Sequence, residues 1–312
     1  MEYSSALELR NRWLERLRAE RAGPFGTETT QEAFGPQVAV GVTGDEGDYR
    51  IAIRVGRLDA VTAPLVDAMR EESRGEVDIR EIGDIEGIAK PPRVRPLVAG
   101  ISVGNEFGEV GTLGCLVRKR GTTAPFFILS NNHVLARLDS ASPGEAILQP
   151  AFLDQSGSGP FGVAEFGEAV ALKPTANVVD AAIVPLLAGV TFDTRALFGV
   201  TERLAGQRAA DLREDEPVSK VGRSTQKTTG TIKAWGLSGL LVKLGSLQFE
   251  FDEQIEIVPD LTQFCDDGDS GSIVVDAANL AVGLLFSKSR ATEHAYANPI
   301  DRVFSKLGIE LA

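Results

Sequence analysis

The sequence predicts a mainly β fold, a sandwich or barrel over about residues 97–300, preceded by a small α+β extension. Three observations carry this. Short β-branched runs recur between Gly, Asp and Pro residues with almost no helical periodicity, as in Thr112 to Val117, Phe126 to Leu129, Ala181 to Leu186, Gly230 to Ala234 and Ser272 to Val275. The first ninety residues mix a helical stretch with a compact β-β-α-β pattern. Between the two lies Lys90-Pro91-Pro92-Arg93-Val94-Arg95-Pro96, extended because residues before proline avoid the helical region. The expected domains are therefore 1–95 and 96–312.

Taken in order, residues 4–22 read as an amphipathic helix. Ala6, Leu9, Trp13 and Leu17 recur at three- and four-residue spacing, with Arg and Glu on the other faces. Gly23-Pro24-Phe25-Gly26 breaks it. Val38 to Val42 and Tyr49 to Val55 look like strands joined by the turn-rich Gly44 to Asp48; a helix from about Thr62 to Arg74 and a strand over Val77 to Ile82 follow. A unit this small should pack on the rest or on a partner, which makes the N-terminal region the candidate for homo-oligomer assembly or gating. A last helix spans about Ile300 to Leu307, introduced by Asn298-Pro299.

The 312 residues are 43% hydrophobic, enough for an ordinary core. No run approaches the roughly 18–20 apolar residues of a membrane span. The opening MEYSSALELRNRW lacks the apolar stretch of a secretory signal, so a cytoplasmic location and no membrane partner are expected. A net charge of −12 repels phosphates, and the basic stretches Arg10 to Arg21 and Lys220 to Lys227 lack interleaved aromatics, so no nucleic-acid partner is expected. Cys115 and Cys265 have no CxxC or Cys/His spacing; they read as free thiols, with no metal and no cofactor implied. The only histidines are His133 and His294, the latter a surface or loop residue.

Three segments carry chemistry. In Asp266-Asp267-Gly268-Asp269-Ser270-Gly271-Ser272, glycines flank a serine ahead of an apolar run, which lets the backbone turn tightly and aim N–H groups at one point. The same composition suits a surface turn. In Ser130-Asn131-Asn132-His133-Val134-Leu135-Ala136, a strand ends in a polar turn and a histidine whose ordinary pKa of about 6.5 suits proton transfer; a half-exposed structural histidine is the alternative. In Val178-Val179-Asp180-Ala181-Ala182-Ile183-Val184, an aspartate in an apolar strand needs a partner, and orienting an imidazole is one such pairing; a strand-edge or turn aspartate is the alternative.

Together these resemble the trypsin/chymotrypsin-like serine peptidases over roughly residues 97–300. The order His, Asp, Ser matches, with SNNHVLA, VVDAAIV and GDSGS standing at the family's three motifs. GTLGCLVRKR resembles the strand beneath the histidine turn, and SKVGRSTQKTTGTI the opening of a second barrel. Both are closest to the narrow-leaf-like and related bacterial members that carry an N-terminal extension. The resemblance implies two six-stranded β-barrels with the site in the cleft between them. It implies a serine endopeptidase acting on protein substrates through His133, Asp180 and Ser270, with an oxyanion hole at the N–H groups of Gly268 and Ser270. It also implies a specificity pocket based near Phe264 and bordered by Phe286, Ser287 and Lys288. That apolar floor would suit neutral or apolar side chains, whereas Asp266 and Asp267 would favour a basic one.

Two departures stand out. Ser272 replaces the family's second glycine after the nucleophile. Asp269, locked in secreted relatives by a freed N-terminus, needs another partner here because some ninety residues precede the barrel. The competing readings are a trypsin-fold protein-interaction scaffold with gated or no proteolysis, and an acyl hydrolase acting on esters.

Overall fold

The computed structural model describes residues 1–21, 38–83, 90–159, 161–208 and 211–312. The chain divides into two compact units, Met1–Ala89 and Lys90–Ala312. The expected helix break at Gly23 to Gly26 lies outside the described residues.

In the first unit, α1 (Tyr3–Arg21) buries Ala6, Leu9, Trp13 and Leu17, the apolar set read from its spacing. Strand β1 (Val38–Thr43) pairs antiparallel with β2 (Arg50–Val55). β2 runs through α2 (Ala63–Glu72) into the parallel β3 (Val77–Glu81). Val38, Ile51, Ile53, Val55, Val66 and Met69 close the core with α1.

The second unit opens with the Pro-rich stretch, which is tied down rather than free. Gln149 Oε1 accepts hydrogen bonds from Val94 N at 2.9 Å and Arg95 Nη1 at 2.5 Å. Its first half is built on β4 (Ser102–Asn105), β5 (Cys115–Lys119), β6 (Phe126–Ser130), β7 (Ala146–Leu148), β8 (Gly162–Glu165) and β9 (Ala182–Pro185). β5, β6 and β9 form one antiparallel sheet, β4, β7 and β8 another, and a bridge between Ala164 and Leu186 joins them.

The second half is a closed ring. β10 (Glu216–Gly222) pairs with β11 (Gln226–Leu237) and, on its other side, with β15 (Ile273–Asp276). β11 continues to β14 (Gln254–Pro259), β14 to β17 (Ala295–Pro299), and β17 to β16 (Leu280–Lys288), which returns to β15. Closure leaves these strands no open edge. Outside the ring, β12 (Leu240–Leu244) and β13 (Leu247–Phe251) form a separate hairpin turned at Gly245-Ser246.

Strand alternation explains how two barrels share one core. Leu116, Ile128, Ala182 and Val184 fill the first barrel, and Val218, Ile232, Val274 and Val282 the second. The alternate positions Cys115, Val117, Leu129 and Ile183 meet Val221, Ile273, Val275 and Leu284 between the barrels, where Val303 and Phe304 of α3 (Ile300–Leu307) complete the cluster. After α3, Ile309–Leu311 crosses back to pair antiparallel with β5 of the first barrel. Among the described residues no helix is long and apolar enough to cross a membrane.

Candidate active site

β6 ends at Ser130, and Asn132–Leu135 make one helical turn that carries His133. His133 is 8% exposed, and Asp180, two residues ahead of β9, is fully buried. They meet twice: the His133 backbone N–H donates to Asp180 Oδ1 at 3.1 Å, and His133 Nδ1 lies 2.5 Å from Oδ2. Burial alone would lower the His133 pKa. The charge of Asp180 and its hydrogen bond, with Glu109 adding to them, outweigh that and hold the imidazole above its ordinary value. The second contact leaves Nε2 as the ring nitrogen available to another group.

Two amides fix the carboxylate's backbone. Asn298 Oδ1 accepts the Asp180 N–H at 2.9 Å, and Asn131 Nδ2 donates to the Asp180 carbonyl at 2.7 Å. Asn298 is held in turn by Gln254 Oε1 at 2.7 Å. Nothing local in the sequence marks either asparagine as a partner of Asp180.

Ser270 sits in the turn between β14 and β15 and lines the same cleft as His133, a space of about 1130 Å³. Its Oγ makes no hydrogen bond among the described residues, and its carbonyl accepts the Thr112 N–H at 2.8 Å. The turn demands its glycines. Gly268 has φ +95° and Gly271 φ +94°, and a Cβ on Gly271 would lie 2.1 Å from Ser130 Oγ and 2.4 Å from the Thr112 carbonyl oxygen.

The peptide planes around Ser270 are also oriented. The Asp267 carbonyl accepts from Ser224 Oγ at 2.5 Å, and the Asp269 carbonyl from Ser272 Oγ at 2.6 Å. In a planar trans peptide the N–H points opposite the carbonyl, so the Gly268 and Ser270 N–H groups are turned away from these partners. Neither finds an acceptor among the described residues.

Asp269 has the partner the sequence left open. Lys220 of β10 reaches it at 3.1 Å, and both side chains are completely buried. Four more donors satisfy the carboxylate: Thr225 Oγ1 at 2.6 Å and the N–H groups of Ser224, Thr225 and Asp266 at 2.7, 3.2 and 3.0 Å. Burial pushes the Lys220 pKa down, against the pull of Asp269. Lysine is rarely buried, and in the sequence Lys220 stands only as part of a basic stretch, Lys220 to Lys227, with no sign of its partner.

Asp267, Phe286, Ser287 and Lys288 all line the cleft. Phe264 does not: it is fully buried among Ile232, Ile257 and Val274 inside the second barrel, and Cys265 takes the place on the wall. Both residues lie in the loop between β14 and β15 and belong to the same buried cluster, but only Cys265 also reaches the cleft wall. The acids near this wall are neutralised, Asp266 by Lys288 and Asp267 by Arg290, each at 3.1 Å. Cys265 is buried, which pushes its thiol up to about 12. His294 is half-buried against Glu256 at 3.1 Å. Residues lining one cleft thus hold an imidazole fixed by a carboxylate, a hydroxyl without a hydrogen bond and two amides without an acceptor among the described residues, the kinds of group acyl transfer uses.

No protein-family model and no curated protein sequence matches the chain. Solved structures do. A glutamic acid specific serine protease that uses a histidine triad in substrate binding is 18% identical, with a TM-score of 0.50 over 69% of this chain and all of that one. A chymotrypsin from Cellulomonas bogoriensis is 17% identical, with a TM-score of 0.48 over 69% and 97%. Protease A of Thermobifida fusca is 14% identical, with a TM-score of 0.49 over 69% and 98%. At such identity, the likeness to the first is one of fold.

Proposed function

We propose that this chain, whose larger unit has the trypsin/chymotrypsin-like double-barrel fold, is a serine endopeptidase acting on protein substrates. The observation that carries the reading is the 2.5 Å contact of His133 Nδ1 with buried Asp180, in a cleft that Ser270 also lines. In this reading Ser270 Oγ attacks the scissile carbonyl while His133 Nε2 takes its proton, giving a tetrahedral oxyanion. The N–H groups of Gly268 and Ser270 receive that oxyanion; one such donor contributes about 2.7–4 kcal/mol. His133 then returns the proton to the departing amine, leaving an acyl-enzyme on Ser270. Water, deprotonated by the same imidazole, hydrolyses the ester and regenerates the hydroxyl. Asp180 keeps Nδ1 protonated and stabilises the imidazolium.

The Lys220–Asp269 pair supports a nucleophile turn that is held from within the chain, so that competence does not depend on cleaving the ninety residues ahead of the barrel. Asp267, Phe286, Ser287 and Lys288 are assigned to the substrate-binding wall. Labelling by a fluorophosphonate probe tests the assignment. The chain should label, Ser270→Ala should not, and casein or a peptide library should be cleaved. An unlabelled wild-type chain would favour the scaffold reading, and ester turnover without peptide cleavage the acyl-hydrolase one.

A further inference from the structure

The hairpin β12–β13 has two outer edges in different states. On β13, the Glu250 N–H donates to the Pro174 carbonyl at 3.1 Å and the Glu250 carbonyl accepts the Asn177 N–H at 3.1 Å. Glu250 therefore directs its backbone groups outward. Its cross-strand partner Leu241 must do the same, and antiparallel alternation extends this to Lys243 two residues on. No strand among the described residues pairs with that side of β12. Leu241 and Lys243 thus hold unpaired N–H and C=O groups along an open ladder edge.

This edge is part of the cleft. Residues 240–245 line the same space as His133 and Ser270. On its inner face Val242 and Leu244 pack with Phe249, Phe251 and Phe286, which anchors the hairpin to β16. Leu241 and Lys243 are exposed on the opposite face. The other cations lining the cleft are neutralised: Arg223 by Asp154, Lys288 by Asp266, Arg290 by Asp267 and His133 by Asp180. Lys243 makes no ion pair among the described residues, and its cross-strand neighbour Gln248 is uncharged.

We infer that β12 is a docking strand for the substrate polypeptide. An extended segment adds to its free edge through the backbone of Leu241 and Lys243, and an acidic side chain of that segment stands opposite Lys243. This deepens the endopeptidase reading and rests on it. Main-chain pairing supplies affinity for any extended sequence, and the charge opposite Lys243 supplies the preference.

Binding by the Ser270→Ala chain separates this from catalysis. Fluorescent ten-residue peptides are titrated by anisotropy, each carrying one Glu or one Lys at successive positions. At one position the Glu peptide should bind about fivefold more tightly than its Lys counterpart, and Lys243→Glu in the same background should invert that order. N-methylation of successive peptide amides should weaken binding at every second residue, a readout that requires no variant. Charge-independent affinity that Lys243→Glu does not change, or N-methyl effects without a period of two, would overturn the docking strand. Failure of the wild-type chain to label with fluorophosphonate would instead remove the catalytic reading and leave the binding result standing.

Discussion

Lys220 and Asp269 form an ion pair at 3.1 Å from which solvent is excluded on both sides, one residue ahead of Ser270. Removing one member of such a pair strands the other charge in a low-dielectric interior. Lys220→Met should therefore cost about 3–5 kcal/mol and lower the thermal midpoint by about 10 °C. Because Asp269 also gathers the N–H groups of Ser224, Thr225 and Asp266, the nucleophile turn should loosen with it. Differential scanning fluorimetry and the fluorophosphonate labelling rate, measured on the soluble variant, should fall together.

In the proposed mechanism the raised pKa of His133 should set the acid limb of activity. A general base must be neutral, so the rate should fall as pH drops through the folded-state value, with a midpoint above the ordinary value of about 6.5. The stability linkage runs the other way. A folded-state pKa above the unfolded one contributes stability that is complete below the unfolded value and is lost as pH rises through the folded one. A profile of kcat/KM against pH on a peptide substrate checks the first statement.

Asp180→Asn removes the charge that overcomes burial at His133 and permits the wrong tautomer. The rate should drop about 10⁴-fold, and residual activity should show its acid limb displaced to lower pH. Burst kinetics with an activated ester give both quantities.

Gly271→Ala places a methyl group 2.1 Å from Ser130 Oγ on a backbone with φ +94°. Steric overlap and left-handed strain together should cost about 3 kcal/mol. Urea unfolding monitored by circular dichroism would register the loss.

Cys265, although it lines the cleft wall, should stay a thiol at neutral pH because burial pushes its pKa to about 12. Iodoacetamide at pH 7.5 should leave both it and Cys115 unmodified in the folded chain, as mass spectrometry would record.

Much of this site could be read from the chain because its side chains lie in local motifs. His133 follows a strand, Asp180 comes two residues before one, and Ser270 sits close to two glycines of positive φ, Gly268 and Gly271, in a tight turn. What escaped depends on contacts between distant segments. Lys220 and Asp269 are 49 residues apart, and nothing local in Glu216–Gly222 marks its lysine as buried. Asn298 meets Asp180 across 118 residues. The hairpin of β12 and β13 had a signal, two apolar runs about Gly245-Ser246, but strand periodicity does not say that one edge is left open. The family resemblance puts the pocket floor near Phe264, yet that side chain lies in the second barrel's core. A count along the chain cannot tell which face of the ring a side chain takes.

Ile309–Leu311 joins the sheet of the first barrel after the chain has completed the second. It acts as a clasp across a pair of tongs, because the jaws cannot part without first peeling three residues from Val117 to Lys119. Opening and closing about a waist is thereby disfavoured by the three paired residues. In the endopeptidase reading, selection among substrates would then rest on the groups along the rim rather than on any hinged embrace.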